Sequence, residues 1–136
     1  MYRKLLVLIL LCAILLVLPA CGANQTVTDL DALEEQVNAD WIKRLDYYEG
    51  FSVSSFRYYG TDNGYHIVMF NYGVTMGVVK NYTIAGYTFE GCGTHFMAYK
   101  KGKFTKLNTA YLLGLVSKEA ISKAAELHAS GKNATE

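Results

Sequence analysis

The chain has 136 residues, a formal net charge of +1 at pH 7 and an aromatic content of 13%. This length allows one domain with its own hydrophobic core. A near-neutral chain lacks the basic surface that nucleic-acid binding requires, so we expect no nucleic-acid partner.

The first 20 residues have the pattern of an export signal. Arg3 and Lys4 precede an unbroken apolar run over residues 5–18. The run is shorter than the ~20 apolar residues that a membrane-spanning helix needs, and it has the length typical of a signal peptide. We therefore predict that residues 1–20 form a signal peptide that is removed from the mature protein.

The run ends in Leu18-Pro19-Ala20-Cys21. This sequence resembles the lipobox of bacterial lipoproteins, in which an apolar residue and a small residue precede an essential cysteine. The resemblance implies cleavage before Cys21, a diacylglycerol on its thiol and further acylation of the new amine. Two or three acyl chains give stable membrane anchoring. The alternatives are an ordinary signal peptide that is cleaved nearby and an uncleaved anchor.

Cysteine usage excludes a disulfide within the mature chain. Cys12 leaves with the signal and Cys21 becomes a thioether, so Cys92 is the remaining thiol. We interpret Cys92 as a small buried residue, with a reactive thiol or an intermolecular bridge as alternatives.

A helix is predicted over about 29–48, after a short lipidated tether at 21–28. Thr28 or Asp29 can cap it, and Gly50 is its natural end. Asn38-Ala39-Asp40 is its weakest point and could split it. One apolar stripe recurs at spacings of three and four residues, and we expect it to cover a sheet. The stripe consists of Leu30, Leu33, Val37, Trp41 and Leu45.

Short segments rich in aromatic and β-branched residues then predict strands that are joined by tight turns. Connections this short pair strands in antiparallel fashion. Tyr65–Tyr72 is apolar on both faces at its centre, so we place it in the middle of the sheet. The predicted strands are Ser52–Tyr59, Tyr65–Tyr72, Thr75–Ile84, a segment from Tyr87 to near Cys92, His95–Lys100 and a short return at Lys103–Phe104.

The C-terminal part is predicted to be helical. Asn108 can cap a short helix that Gly114 ends, and Ser117 can cap a second one that Gly131 ends. Residues 132–136 are expected to fray. The predicted fold class is α+β: one domain over 29–131, with a single antiparallel meander sheet of about four to six strands, an N-terminal helix and C-terminal helices.

Several short motifs resemble a small uncharacterised domain of exported proteins from Gram-positive, clostridia-like bacteria. The resemblance spans about residues 35–128 and implies the order helix, strands, helix. It implies no activity and no site residue. The motifs are Tyr58-Tyr59-Gly60, Asn63-Gly64, Ala85-Gly86-Tyr87-Thr88-Phe89, Tyr99-Lys100, Gly102-Lys103-Phe104, Leu107, Ala110-Tyr111, Gly114-Leu115 and Ile121.

His66, Cys92 and His95 are the residues that come nearest to a catalytic or metal cluster. Cys92 and His95 flank a predicted turn and could meet, but no nucleophile signature surrounds them. A structural zinc site needs four ligands in tight pairs, which this sequence lacks. We therefore expect no metal, no cofactor and no catalytic residue.

The tyrosines are the stronger candidates for a site. Exposed aromatic side chains on a sheet can stack on sugars or hold a peptide. The alternative is that they cover the sheet beneath the helices. The candidate ligand face consists of Tyr59, Tyr65, Tyr72, Tyr82 and Tyr99.

These features favour a lipid-anchored binding or interaction module at the outer face of the bacterial cytoplasmic membrane, without catalysis of its own. Its partner would be a protein, a peptide or a glycan at the cell surface. The alternatives are an inhibitor or partner subunit of another exported protein, a small enzyme that uses Cys92 and His95, and a structural envelope component.

Overall fold

The computed structural model describes residues 29–44, 53–72, 80–92 and 95–134. Helices stand at both ends of this part of the chain, and antiparallel strands lie between them, which confirms the α+β fold class. The elements in chain order are α1 (Leu30–Ile42), β1 (Val53–Asp62), β2 (Tyr65–Tyr72), β3 (Lys80–Ile84), β4 (Tyr87–Cys92), β5 (His95–Lys100), β6 (Lys103–Lys106), α2 (Leu107–Leu112) and α3 (Lys118–Ser130).

The strands divide between two sheets, where the sequence predicted one. A four-stranded antiparallel sheet has the order β1-β2-β5-β6, and β3 and β4 form a separate two-stranded hairpin. The meander is interrupted because β5 pairs with β2, from His66 opposite Tyr99 to Phe70 opposite His95. The hairpin between these strands is therefore excluded from the larger sheet and packs on one of its faces.

The larger sheet has a hydrophobic core on each face, as the apolar centre of β2 predicted. Along β2, side chains alternate between the two cores, as they must in a strand. We call the cluster beneath the hairpin, α2 and α3 the first core; its buried residues are Tyr59, Ile67, Met69, Ile84, Phe89, Phe96, Ala98, Leu107, Ala110, Val116, Ile121 and Ala124. The second core lies beneath α1 and consists of Leu33, Val37, Trp41, Val53, Tyr58, Val68, Phe70, Met97 and Tyr99.

Helix α1 begins where the sequence predicted. The Asp29 carboxylate accepts a hydrogen bond from the Ala32 N–H at 3.0 Å, which satisfies one of the unpaired donors of the first turn. The helix continues through residues 38–40 because the polar side chains there bind the sheet. Asn38 Oδ1 accepts from the Val53 N–H at 2.8 Å, and the Asp40 carboxylate accepts from Tyr99. The helix ends at Ile42; the predicted extension over 45–48 and the stop at Gly50 lie outside the described residues.

Strand β1 is longer than predicted and runs through Gly60 to Asp62. A register irregularity between Tyr58 and Thr61 absorbs Gly60, whose φ of +110° is readily adopted by glycine. The turn to β2 is then the dipeptide Asn63-Gly64, with both φ values positive, which suits a two-residue hairpin. The predicted start of this strand at Ser52 and the part of the third strand over 75–79 lie outside the described residues.

Helix α2 begins at Leu107 without a side-chain cap, so Asn108 lies inside the helix and not at its N-cap. Helix α3 follows the prediction. The Ser117 hydroxyl accepts from the Ala120 N–H at 3.2 Å, and Gly131 ends the helix with a left-handed φ of +71°.

Residues 132–134 were predicted to fray, but they bind the outer edge of β1. Asn133 Oδ1 accepts from the Tyr58 N–H at 3.0 Å, and the Ala134 N–H donates to the Tyr58 carbonyl at 2.9 Å. Arg57 donates to the Lys132 carbonyl at 2.8 Å. The tail pairs backbone groups that an edge strand would otherwise leave unpaired.

Within the described ranges, none of the helices combines the length and the apolar character needed to cross a membrane. The predicted signal peptide, Cys21 and the tether at 21–28 lie outside those ranges, as do Thr135 and Glu136.

Candidate functional site

The five candidate tyrosines do not share one exposed face. Tyr59 and Tyr99 are each 1% exposed, and they lie on opposite faces of the sheet, in the first and second cores respectively. Their rings are in the interior because helices and the hairpin cover both faces of the sheet. These two residues therefore belong to the core, and the prediction that they form part of an exposed ligand face is wrong.

The hydroxyls of both buried tyrosines join helices to the sheet. The Tyr99 hydroxyl on β5 donates to the Asp40 carboxylate on α1, and burial together with this bond raises the pKa of Tyr99 well above its usual value. The Tyr59 hydroxyl bonds His128 Nδ1 on α3 at 2.8 Å. His128 Nε2 bonds the Glu90 carbonyl on β4 at 2.6 Å, and since a carbonyl only accepts, Nε2 carries the proton there.

The other three tyrosines are partly buried and lie apart from one another. The Tyr65 ring contacts the Lys100 ammonium, 4.9 Å from the ring centroid, near the β1–β2 turn. Tyr72 is at the opposite end of β2, with its ring 6.4 Å from that of Trp41. Tyr82 is on the hairpin, where its ring lies 5.9 Å from that of Phe96. Of the five, Tyr82 lines a pocket.

The histidines that the sequence singled out are also separated. His66 is paired with Tyr99 and His95 with Phe70, so they lie four residues apart along the β2–β5 ladder, about 13 Å at the usual rise of a strand. His66 Nδ1 bonds the Thr61 hydroxyl at 2.9 Å, and burial lowers the pKa of His66. The backbone of Cys92 ends β4, but its side chain, and with it the prediction for the thiol, lies outside what the structure describes. Among the described residues, no three potential ligands form a metal-binding group.

A pocket of about 390 Å³ lies between β3, the start of β5 and the junction of β6 with α2. Its apolar lining residues are Ile84, Phe96, Met97 and Leu107. The polar groups around it come from separate elements and consist of Lys80, Tyr82, His95, Lys106, Asn108 and Thr109. This combination of apolar residues with a few polar groups is characteristic of small-molecule sites.

The position of the pocket follows from the topology. Lys106 is paired with Met97, and His95 lies two residues before Met97, so these three side chains share the face of the sheet that α1 covers. Phe96 and Leu107 belong to the first core on the other face. The pocket therefore lies at the end of the sheet, where the last residue of β6, the start of β5 and the hairpin come together.

The charge in the pocket is positive. Burial lowers the pKa of His95, and the positive charges of Lys80, Arg44 and Lys106 lower it further. None of the described residues that line the pocket carries a carboxylate. Among the described residues, neither Lys80 nor Lys106 forms an ion pair.

Comparison with known proteins finds no matching family model, no matching curated protein and no matching solved structure. The site is therefore defined by the geometry of this chain alone.

Sequence reasoning identified two residues of this pocket, Tyr82 and His95, and missed its cations. Lys80 begins a strand and Lys106 ends one, and both looked like ordinary solvated lysines. The available signal was the absence of any acidic residue between Lys80 and Phe89, which alone does not bring Lys80 to Lys106. Lys80 and Lys106 line the same pocket because the β3–β4 hairpin is separate from the larger sheet.

Proposed function

We propose that the mature chain is a lipid-anchored extracytoplasmic binding module, without catalysis of its own, and that its ligand occupies the pocket at the end of the sheet. The pocket of about 390 Å³ carries the proposal. Its volume lies within the roughly 300–1,000 Å³ range of small-molecule sites. The pocket is built on strands and a helix that are fixed by two cores, so its walls are preorganised.

The polar side chains of the lining supply groups that bind a ligand. His95 is present, but burial and three neighbouring cations favour its neutral form. The lysines, the Asn108 amide and the Thr109 hydroxyl are groups that hold and orient a ligand.

The binding proposal is tested by filling the pocket. Thr109 is exposed on α2 and lines the pocket, so Thr109→Trp places an indole in it without removing core packing. Leu112→Trp is the matched control, because Leu112 is on the same helix and is 74% exposed. The full-length protein, purified in a mild detergent, is screened by thermal unfolding against small polar and aromatic compounds.

A compound that binds only the folded state at a hundredfold excess over its Kd stabilises by about 2.7 kcal/mol. We expect at least one compound to raise the unfolding midpoint of wild type and Leu112→Trp by several degrees, and to leave Thr109→Trp unchanged. Equal responses of all three proteins would place the ligand elsewhere, and no response to any compound would contradict the proposal.

The anchoring part of the proposal depends on Cys21, which follows the lipobox-like Leu18-Pro19-Ala20. Cys21→Ser removes the thiol that would carry the lipid. We expect this variant to lack the mass of a diacylglycerol and to keep residues 1–20, whose apolar run can still hold it in the membrane. Cys12→Ser, within the signal, is the control and should carry the lipid like the wild type. A Cys21→Ser protein with the same lipid mass as the wild type would refute lipidation at this residue.

A partner subunit of another exported protein is the second candidate, and one observation favours it. Leu112 and Leu113 at the end of α2 are 74% and 67% exposed, which is unusual for two adjacent large apolar side chains. A photo-crosslinking residue at position 113 should then give a specific adduct on intact cells, whereas the same residue at exposed Glu119 on α3 should not. Identical patterns at both positions would exclude this surface.

A further inference from the structure

The polar part of the pocket is made of cations and neutral donors. Lys80 comes from the hairpin and Lys106 from the last strand of the main sheet, so two lysines from different elements line one pocket. The described part of the chain offers neither of them a carboxylate partner. Lysines of one sign that converge on a concave surface raise the local concentration of anions.

Three further groups can complete the coordination of an anion. The Asn108 amide and the Thr109 hydroxyl line the pocket and are hydrogen-bond donors. His95 lines it as well, and its neutral ring offers one N–H. Oxyanions of carboxylates and phosphates are the ligands that such a set of charged and neutral donors satisfies.

The remainder of the ligand meets the aromatic part of the lining. The partly exposed Tyr82 ring lines the pocket and packs on the buried Phe96. A bare inorganic ion would leave this ring in contact with water. A ligand that joins an oxyanion to an apolar ring or chain uses both halves of the pocket.

Taking the binding function above as its basis, we propose that the pocket binds a small molecule through its carboxylate or phosphate group, which Lys80 and Lys106 hold between them, while the apolar part of the molecule lies against the Tyr82 ring. The two lysines determine the class of ligand, and the Tyr82 ring contacts its apolar part.

The test compares probes that differ in charge and little in shape. Benzoate and phenyl phosphate carry an oxyanion on a phenyl ring, and benzamide is the neutral counterpart of benzoate. Each is titrated calorimetrically into the full-length protein in nonionic detergent, at about 50 mM and about 500 mM salt. We expect at least one anion to bind at least tenfold more tightly than benzamide, and to lose affinity at high salt because the Debye length falls from roughly 14 Å to about 4 Å.

Lys80→Gln and Lys106→Gln should each raise the Kd of the anion about tenfold, which corresponds to about 1.4 kcal/mol. Both lysines are exposed, so we expect the variants to fold, and their unaltered unfolding midpoints verify this. Lys103→Gln is the matched control, since Lys103 is an exposed lysine on β6 that does not line the pocket. It should leave the Kd unchanged.

The two proposals fail in different ways. If benzamide binds as tightly as both anions, or if Lys80→Gln and Lys106→Gln leave the Kd of the anion unchanged, the oxyanion proposal is overturned while the pocket remains a binding site. If neither the anions nor benzamide binds, the oxyanion proposal is overturned, and a compound screen that also finds nothing removes the binding function with it.

Discussion

The hydroxyl of Tyr99 should contribute to stability and not to ligand binding. It donates to the Asp40 carboxylate and thereby joins β5 to α1. Tyr99→Phe removes one oxygen and keeps the ring, which packs 4.9 Å from Phe104 and 6.1 Å from His66 between centroids. Because no cavity is created among the rings, the cost is that of the hydrogen bonds of the hydroxyl, which donates to Asp40 and accepts from the Gly102 backbone N–H.

The magnitude follows from the acceptor. A hydrogen bond to a charged group contributes about 1.5–3 kcal/mol. The Asp40 side chain is 19% exposed and also lies 3.6 Å from the Lys43 ammonium, so water and Lys43 replace part of what is lost. We therefore expect Tyr99→Phe to lower the free energy of unfolding by about 2 kcal/mol. With a urea m-value of about 2 kcal/mol/M, the midpoint falls by about 1 M.

The matched control is Tyr65→Phe. This change also removes a phenol oxygen, but among the described residues the Tyr65 ring contacts the Lys100 ammonium and its hydroxyl makes no hydrogen bond. Its effect should stay within about 0.5 kcal/mol. Both proteins are unfolded in urea and followed by tryptophan fluorescence, since Trp41 lies in the second core beside Phe104.

A double-mutant cycle with Asp40→Asn identifies the source of the effect. If the bond to the carboxylate is responsible, Tyr99→Phe should cost clearly less in the Asp40→Asn background. The reasoning is refuted if Tyr99→Phe is no more destabilising than Tyr65→Phe. It is refuted equally if the cost of Tyr99→Phe is the same with and without the Asp40 charge.

Three further predictions concern the cap, the tail and pH. Ser117→Ala should cost about 1 kcal/mol in urea unfolding, because the Ala120 N–H loses its acceptor; Ser117→Asp, which keeps an acceptor, should restore stability. Asn133→Ala should cost about 1 kcal/mol and speed amide exchange at Tyr58, unlike a change at exposed Lys132. Burial lowers the pKa of His66, so as the pH falls through about 6.5 the unfolded chain binds more protons than the folded one. Stability should be full above about pH 7.5 and decline as the pH falls to about 5.5, and this decline should be smaller in the His66→Gln variant.

Several elements could be predicted because their signals are local. The bounds of β2 coincide with the predicted Tyr65–Tyr72, since its alternation and its flanking turns both lie within the segment. Its two faces were predicted for the same reason, with Ile67 and Met69 in one core and Val68 and Phe70 in the other. Ser117 and Gly131 bound α3 as predicted because capping depends on groups three or four residues away.

The elements that differ from prediction depend on distant partners. Residues 132–134 are polar and follow a helix stop, which is typical of a frayed end. They are held because Tyr58 of the edge strand presents its N–H and carbonyl to them. Gly60 resembled the start of a turn, but pairing with β2 carries β1 past it to Asp62. Neither partner is visible in the local sequence.

The tyrosines show why composition alone does not predict which aromatic side chains are exposed. The many aromatic residues suggested a surface on which a ligand could stack. Such a surface requires that at least one face of the sheet is exposed to solvent. Here α1 covers one face, and the hairpin with α2 and α3 covers the other, so Tyr59 and Tyr99 enter the cores. The ends of the sheet are then the places where a ligand has access. Lys80 and Lys106 line the pocket at one of these ends. The specificity of the module should therefore depend on charge before aromatic stacking, which the paired probes and lysine variants measure directly.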